Sequence, residues 1–131
     1  MICYDIFSPS VIAQYEDQGI KILFVLSNMV VPSQALFERQ KFLVGEAFPA
    51  WTAAQLNCFM AISMLSGDDV ISCSQVVSPT KGVIDRLDNE EGLVVAELSL
   101  EHLNFFPFLD VKPSDAEAYV KEKFPENTKG R

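Results

Sequence analysis

Cys3 is the residue of this 131-residue chain whose type and setting most suggest chemistry. It stands in Met1-Ile2-Cys3-Tyr4-Asp5, an apolar stub running into a thiol, with Pro9 following at a position suited to the first turn of a helix. Such a strand-to-helix elbow presents the thiol as a nucleophile. A cysteine thiol with its ordinary value of about 8.5 is mostly protonated at pH 7, so nucleophilic work needs a base or a positive partner. Asp5 is ill suited to supply it, because a carboxylate beside a thiol disfavours the thiolate. The backbone N–H of Tyr4, next after the nucleophile, is the candidate oxyanion donor. Donors of that kind contribute about 3–4 kcal/mol each to the transition state. The ordinary role of a free cysteine is that of a small buried hydrophobe. That is the reading for Cys58 and Cys73, whose neighbours are apolar and strand-like.

Other chemically capable residues carry less. The single histidine, His102, falls on a short helix and reads as solvated or capping. No CxxC or Cys/His pattern is present, so no metal site is expected. Asp68-Asp69 and the acidic run 88–91 read as solvated turns. Asn28 and Trp51 are the candidates to line a substrate pocket, although Trp51 at a helix start also suits packing. Nothing in the sequence calls for a cofactor.

The formal net charge of −8, with no basic run, argues against nucleic acid and anionic membrane surfaces as partners. No apolar run approaches the length of a membrane span, and the N-terminus lacks the basic and apolar regions of a signal peptide. Three cysteines, an odd number at irregular spacing, are expected as free thiols in a reducing cytoplasm.

The elements that must position Cys3 follow from the apolar pattern. Pro9, Val11, Ile12 and Tyr15 predict a helix, with Gly19 as its C-cap. Ile20-Lys21-Ile22-Leu23-Phe24-Val25-Leu26 predicts a strand buried on both faces. Ser33 is the expected N-cap of a helix to about Val44, Phe48-Pro49 an interruption, and 50–56 a second helix. Residues 58–64 and 70–78 predict strands, with a turn at 66–69 between them. Pro79-Thr80-Lys81-Gly82 predicts a turn into a hairpin partner at 83–87. A polar turn at 88–92, a strand at 93–98 and a short helix capped by Ser99 follow. The tail holds Pro107, Pro113 and Pro125, with a helix at 114–123 and a disordered end at 126–131. The expected class is α/β, a mixed sheet with helices on one face.

Ile2-Cys3-Tyr4-Asp5 with Pro9 resembles the nucleophile elbow of the carbon–nitrogen hydrolase (nitrilase) superfamily. Residues 19–25 resemble the strand after the elbow helix, and Leu26-Ser27-Asn28 the loop at its active-site end. Residues 51–64 stand where the family has a helix ending in Arg-Ala-x-Glu-Asn and a strand. Residues 74–103 resemble the closing hairpin, with Gly92-Leu93-Val94-Val95-Ala96-Glu97-Leu98 as the strand that follows it. The likeness covers residues 2–103 in the family's order. Departures are Phe7, Ser8 and Ser10 around the elbow, Thr52-Ala53-Ala54-Gln55-Leu56 in place of the charged motif, and Ser78 and Ser99 where Asp is common.

The resemblance implies residues 1–106 as the C-terminal half of an α-β-β-α sandwich, and 107–131 as a tail. It implies hydrolysis of a small amide or nitrile through a cysteine nucleophile, with a Glu base and a Lys that precede the cysteine. The two residues before Cys3 supply neither. The isolated chain is therefore expected to be inactive, with a homo-oligomer or the missing N-terminal half covering its exposed surfaces. The alternatives are a non-catalytic interaction module or pseudoenzyme that pairs with itself or with an intact homologue, and an unrelated small α/β domain.

Overall fold

The computed structural model describes residues 1–30, 34–67, 70–107, 110–123 and 125. Four strands form one mixed sheet in the order β1-β2-β3-β4. β1 (Ile22–Ser27) and β2 (Phe59–Met64) run parallel, with Ile22 opposite Phe59 and Ser27 opposite Met64. β3 (Cys73–Ser78) and β4 (Gly82–Asp88) continue it as an antiparallel hairpin, with a register shift between Val76 and Val77. Gly82 takes the positive φ, +73°, that closes this turn. The protein is an α/β fold with a four-stranded mixed sheet.

The inner face of the sheet holds the core. Leu23, Val25, Met60, Ile62 and Val77 pack there with Ile6, Ala53 and Cys58. The cover is largely α3 (Phe48–Leu56), which buries Pro49, Thr52, Ala53 and Ala54. It is reached from α2 (Gln34–Phe42) through a π-helical turn, Leu43–Ala47. The helical path thus continues across the expected interruption, and Pro49 sits in the first turn of α3, where a missing N–H is tolerated. Pro49 has no N–H to offer the carbonyl four residues earlier, that of Gly45. The buried Gln75 side chain donates to that carbonyl from Nε2 at 2.7 Å. The expected N-cap Ser33 and the turn residues 68–69 lie outside the described residues, as does the segment 126–131.

Three expectations are corrected. β1 is covered on one face only. Leu23 and Val25 are 6% and 1% exposed, whereas Phe24 and Leu26 are 68% and 62% exposed. The strand's unbroken apolar run suits two-sided burial, but among the described residues no layer lies over Phe24 and Leu26. The helix after the elbow, α1, spans only Pro9–Ile12. Turns follow it, because the polar residues Gln14, Glu16 and Gln18 give a longer helix no continuous apolar face to bury. Residues 93–98 form no strand. A strand exists through its ladder of backbone hydrogen bonds, and among the described residues no sheet edge pairs with this segment. Leu93 and Val95 stand exposed.

Beyond this segment, a 3₁₀ turn at Leu100–Asn104 is anchored by Leu103, which is buried and whose carbonyl accepts from Asn57 Nδ2 at 2.7 Å. Ser99 occupies its N-cap position without a side-chain cap bond. The tail helix α4 (Pro113–Lys123) buries no side chain. Asp110 ties this region to the hairpin turn, accepting from Thr80 Oγ1 at 3.1 Å and pairing with Lys81 at 3.5 Å.

Candidate functional site

The elbow begins as a strand and ends as a helix. Leu26 N–H donates to the Met1 carbonyl at 3.2 Å, and Ile2 bridges Leu26 in parallel, so the first residues lie along the outer edge of β1. A 3₁₀ helix, Cys3–Phe7, follows at once. The reversal falls on Cys3, whose φ is +46°. Five described non-glycine residues have positive φ, and the other four, Asp17, Asn57, Asn89 and Asp110, are the types that tolerate it. Cysteine does not, and a left-handed residue of this kind costs about 1–3 kcal/mol. The conformation is held by a clamp across Cys3 and Tyr4. Ile2 N–H donates to Asp5 Oδ2 at 3.1 Å, and Asp5 N–H donates to the Ile2 carbonyl at 3.1 Å. Asp5 therefore shapes the elbow.

The thiol lies at the C-terminal end of the parallel pair β1 and β2. Cys3 Sγ donates to the Asn28 carbonyl at 3.4 Å, and Ser27 Oγ approaches it as a donor at 3.9 Å. A cavity of about 340 Å³ opens on this point, and Ile2, Leu26, Met64 and Leu65 give it apolar walls. Ser27, Asn28 and Ser63 complete the lining with Cys3. Among the described residues, none that lines the cavity carries a carboxylate, imidazole or ammonium.

The structure thus brings Cys3 and Asn28 together. Tyr4 follows Cys3 within the 3₁₀ helix. Trp51 lies on α3, 62% exposed, and does not line the Cys3 cavity. Its helix turns Thr52, Ala53 and Ala54 inward instead. His102 borders a separate cavity with Phe59 and Ser78, at the opposite end of the sheet, and its ring centroid is 5.1 Å from that of Phe105. From sequence, Ser27 entered only as part of the loop Leu26-Ser27-Asn28, and Leu65 was not singled out. A hydroxyl directly before Asn28 was a usable signal for Ser27, but nothing local marks Leu65, which borders the cavity because it follows the end of β2.

The other two thiols contrast with Cys3. Both are fully buried, and burial pushes each from 9.0 up to about 11, with the nearby Asp88 adding to the effect at Cys73. Cys73 also packs tightly, since a Cβ added at Gly45 would meet its Sγ at 2.9 Å. All three cysteines are free. Among the described residues no group of three or more His, Cys, Asp or Glu side chains is placed to hold a metal ion, and no helix is long and apolar enough to cross a membrane.

No family model and no curated protein matches this chain.

Proposed function

We propose that this chain is the nucleophile-bearing half of a carbon–nitrogen hydrolase domain of the nitrilase type, built for non-peptide C–N bonds. The observation that carries the reading is Cys3 held at φ +46° on a strand-to-helix elbow, with its thiol at a cavity beyond the C-terminal ends of β1 and β2. Strain at a non-glycine residue persists where surrounding structure over-determines it, and it concentrates at functional sites. The one-sided cover of β1 supports the further reading of a half sandwich, whose second sheet would lie against Phe24 and Leu26. The unpaired apolar segment 93–98 supports it too, as a strand waiting for an edge. Three free thiols suit a reducing compartment, and we assign the protein to the cytoplasm on that ground.

The reaction on a primary amide runs in two steps. The Cys3 sulfur adds to the carbonyl carbon while its proton passes to a base. Collapse breaks the C–N bond, ammonia leaves with that proton, and a thioester remains. Water then cleaves the thioester, releasing the carboxylic acid and restoring the thiol. The Tyr4 N–H is the assigned donor to the oxyanion. Among the described residues that line the cavity there is no base and no cation, and this reading takes both from outside that lining.

A second reading is favoured by the exposed apolar surface at Ile2, Phe24 and Leu26. It is a non-catalytic module that pairs with itself or with an intact homologue. One experiment separates the two. The chain is co-expressed with the N-terminal half of a family enzyme, and amide and nitrile hydrolysis is followed with Cys3→Ala as control. We expect no turnover by the chain alone. The chain's own oligomeric state is measured alongside. Cys3-dependent turnover in the complex supports the hydrolase reading, association with the half or self-association without turnover supports the module, and a chain that stays monomeric and associates with neither the half nor an intact homologue overturns both.

A further inference from the structure

We infer that the Ser27 hydroxyl is a catalytic donor to the Cys3 sulfur, holding the thiolate on which attack depends. The inference rests on reading Cys3 as the nucleophile and adds a residue to that site. Two polar contacts reach the sulfur. Its own S–H donates to the Asn28 carbonyl at 3.4 Å, and Ser27 Oγ donates to the sulfur at 3.9 Å. The two respond oppositely to ionisation. Loss of the thiol proton removes the first bond and leaves a carbonyl oxygen facing a negative sulfur. The second bond gains a charged acceptor and strengthens. The Ser27 contact is therefore the one that persists into the reactive form.

The position of Ser27 supports this role. Leu23 and Val25, at alternate positions of β1, are buried in the core, and Ser27 is next in that row, half-buried and opposite Met64. It shares a pocket on that face with Ile6, Val25, Val44 and Ile62. Packing alone favours an aliphatic side chain among such neighbours. A hydroxyl there costs free energy unless it is hydrogen-bonded, and among the described residues the thiol is its partner. The same apolar surroundings strengthen a bond to a charged sulfur. Ser27 transfers no proton. The thiol proton passes to the base, the sulfur electron pair forms the bond to the carbonyl carbon, and the hydroxyl keeps its hydrogen throughout.

The charged groups on the elements that meet Cys3 are Asp5, whose carboxylate accepts from Ile2 N–H, and the Met1 ammonium, which donates to the Phe24 carbonyl. Residues 22–27 and 59–64 include no ionisable side chain of this kind. Asp68 and Asp69, which follow Leu65 closely in sequence, lie outside the described residues. All of these groups are the same in the variants compared below, so their fields cancel in each ratio.

The test compares Ser27→Thr, which keeps a hydroxyl, with Ser27→Val, which has the same shape without one. Iodoacetamide addition at Cys3 of the full chain is read by peptide mass spectrometry from about pH 6 to about pH 10, a window that spans ordinary thiol ionisation. Near neutral pH the Val variant is expected to react more slowly than the Thr variant by on the order of threefold to tenfold. The gap is expected to close at the alkaline end, where the thiol is ionised in both. Equal rates near neutral pH overturn the inference. So does a gap of constant size across the window, because that reports altered access to the sulfur and not its ionisation. Urea unfolding checks that both variants fold. If the Val variant does not, Ser27→Ala decides, since a smaller side chain opens access and a slower reaction there comes from the lost hydroxyl. The hydrolase reading fails separately. A gap that closes with pH, without turnover in the complemented protein, sinks that reading and leaves the role of Ser27 towards the thiolate standing. Equal turnover by the Thr and Val variants in the complemented protein does the reverse.

Discussion

On the inner face of the sheet, Met60 and Val77 are inaccessible to solvent and Val25 is 1% exposed; on the outer face of β1, Phe24 and Leu26 are largely exposed. The two faces draw on the same residue types, and in β1 they alternate residue by residue along one strand. What separates them is cover. α3 and the elbow helix close the inner face, while the outer one meets solvent across Ile2, Phe24 and Leu26. The thiols divide in the same way. Cys58 and Cys73 belong to the covered side and are locked as protonated packing groups. Cys3 stands at a cavity partly walled by outer-face side chains. The comparison teaches that apolar composition in a strand reports a need for burial, and that the layer meeting the need must come from elsewhere in the structure or from a partner.

The comparison is broken or sharpened most strongly by truncating one side chain on each face. Met60→Ala should cost about 2–5 kcal/mol, the range for a large core side chain that leaves a cavity. Phe24→Ala should cost under about 0.5 kcal/mol, as for an exposed position. Urea unfolding of both variants checks this. Equal costs would show that the outer face is covered in solution.

The next effect is pH dependence from the covered thiols. Cys58 and Cys73 release their protons more readily unfolded, near 9.0, than folded, at about 11. Their contribution to stability is fully present below pH 9 and is lost as pH rises towards about 11. The loss is at most roughly 2–3 kcal/mol for each thiol. Denaturant midpoints across that window, compared with those of Cys58→Ala and Cys73→Ala, measure it. A slope unchanged by either substitution would remove burial of the thiols as the cause.

The smallest effect concerns the cover itself. Gln75→Ala withdraws the donor from the Gly45 carbonyl and should cost about 1–3 kcal/mol. Restoring a backbone N–H with Pro49→Ala should reduce that cost in the double variant. A cost identical in both backgrounds would show that Gln75 does not compensate for the proline.

Much of the sheet was legible. The hairpin from 73 to 88 follows from Pro79-Thr80-Lys81-Gly82 between β-rich runs, and β2 from its apolar stretch. Tertiary packing overrode the local signals elsewhere. Pro49 reads as a helix breaker, yet the π-helical turn before it and the Gln75 side chain across from it carry the helical path onward. That compensation joins residues 30 apart in the chain, beyond any local window.

The sequence by itself determined the α/β class, the approximate places of β1 and β2, the hairpin, and Cys3 as the residue to examine, because periodicity, turn residues and the elbow's composition are local properties. Only the tertiary structure decided that β1 is covered on one face, that 93–98 forms no strand, and that Trp51 stays out of the Cys3 cavity while Ser27 and Leu65 line it. Each of these depends on which segment lies opposite another. A strand needs an edge, a buried face needs a layer, and a pocket needs walls brought from distant positions; no residue's own chemistry states whether they will be there.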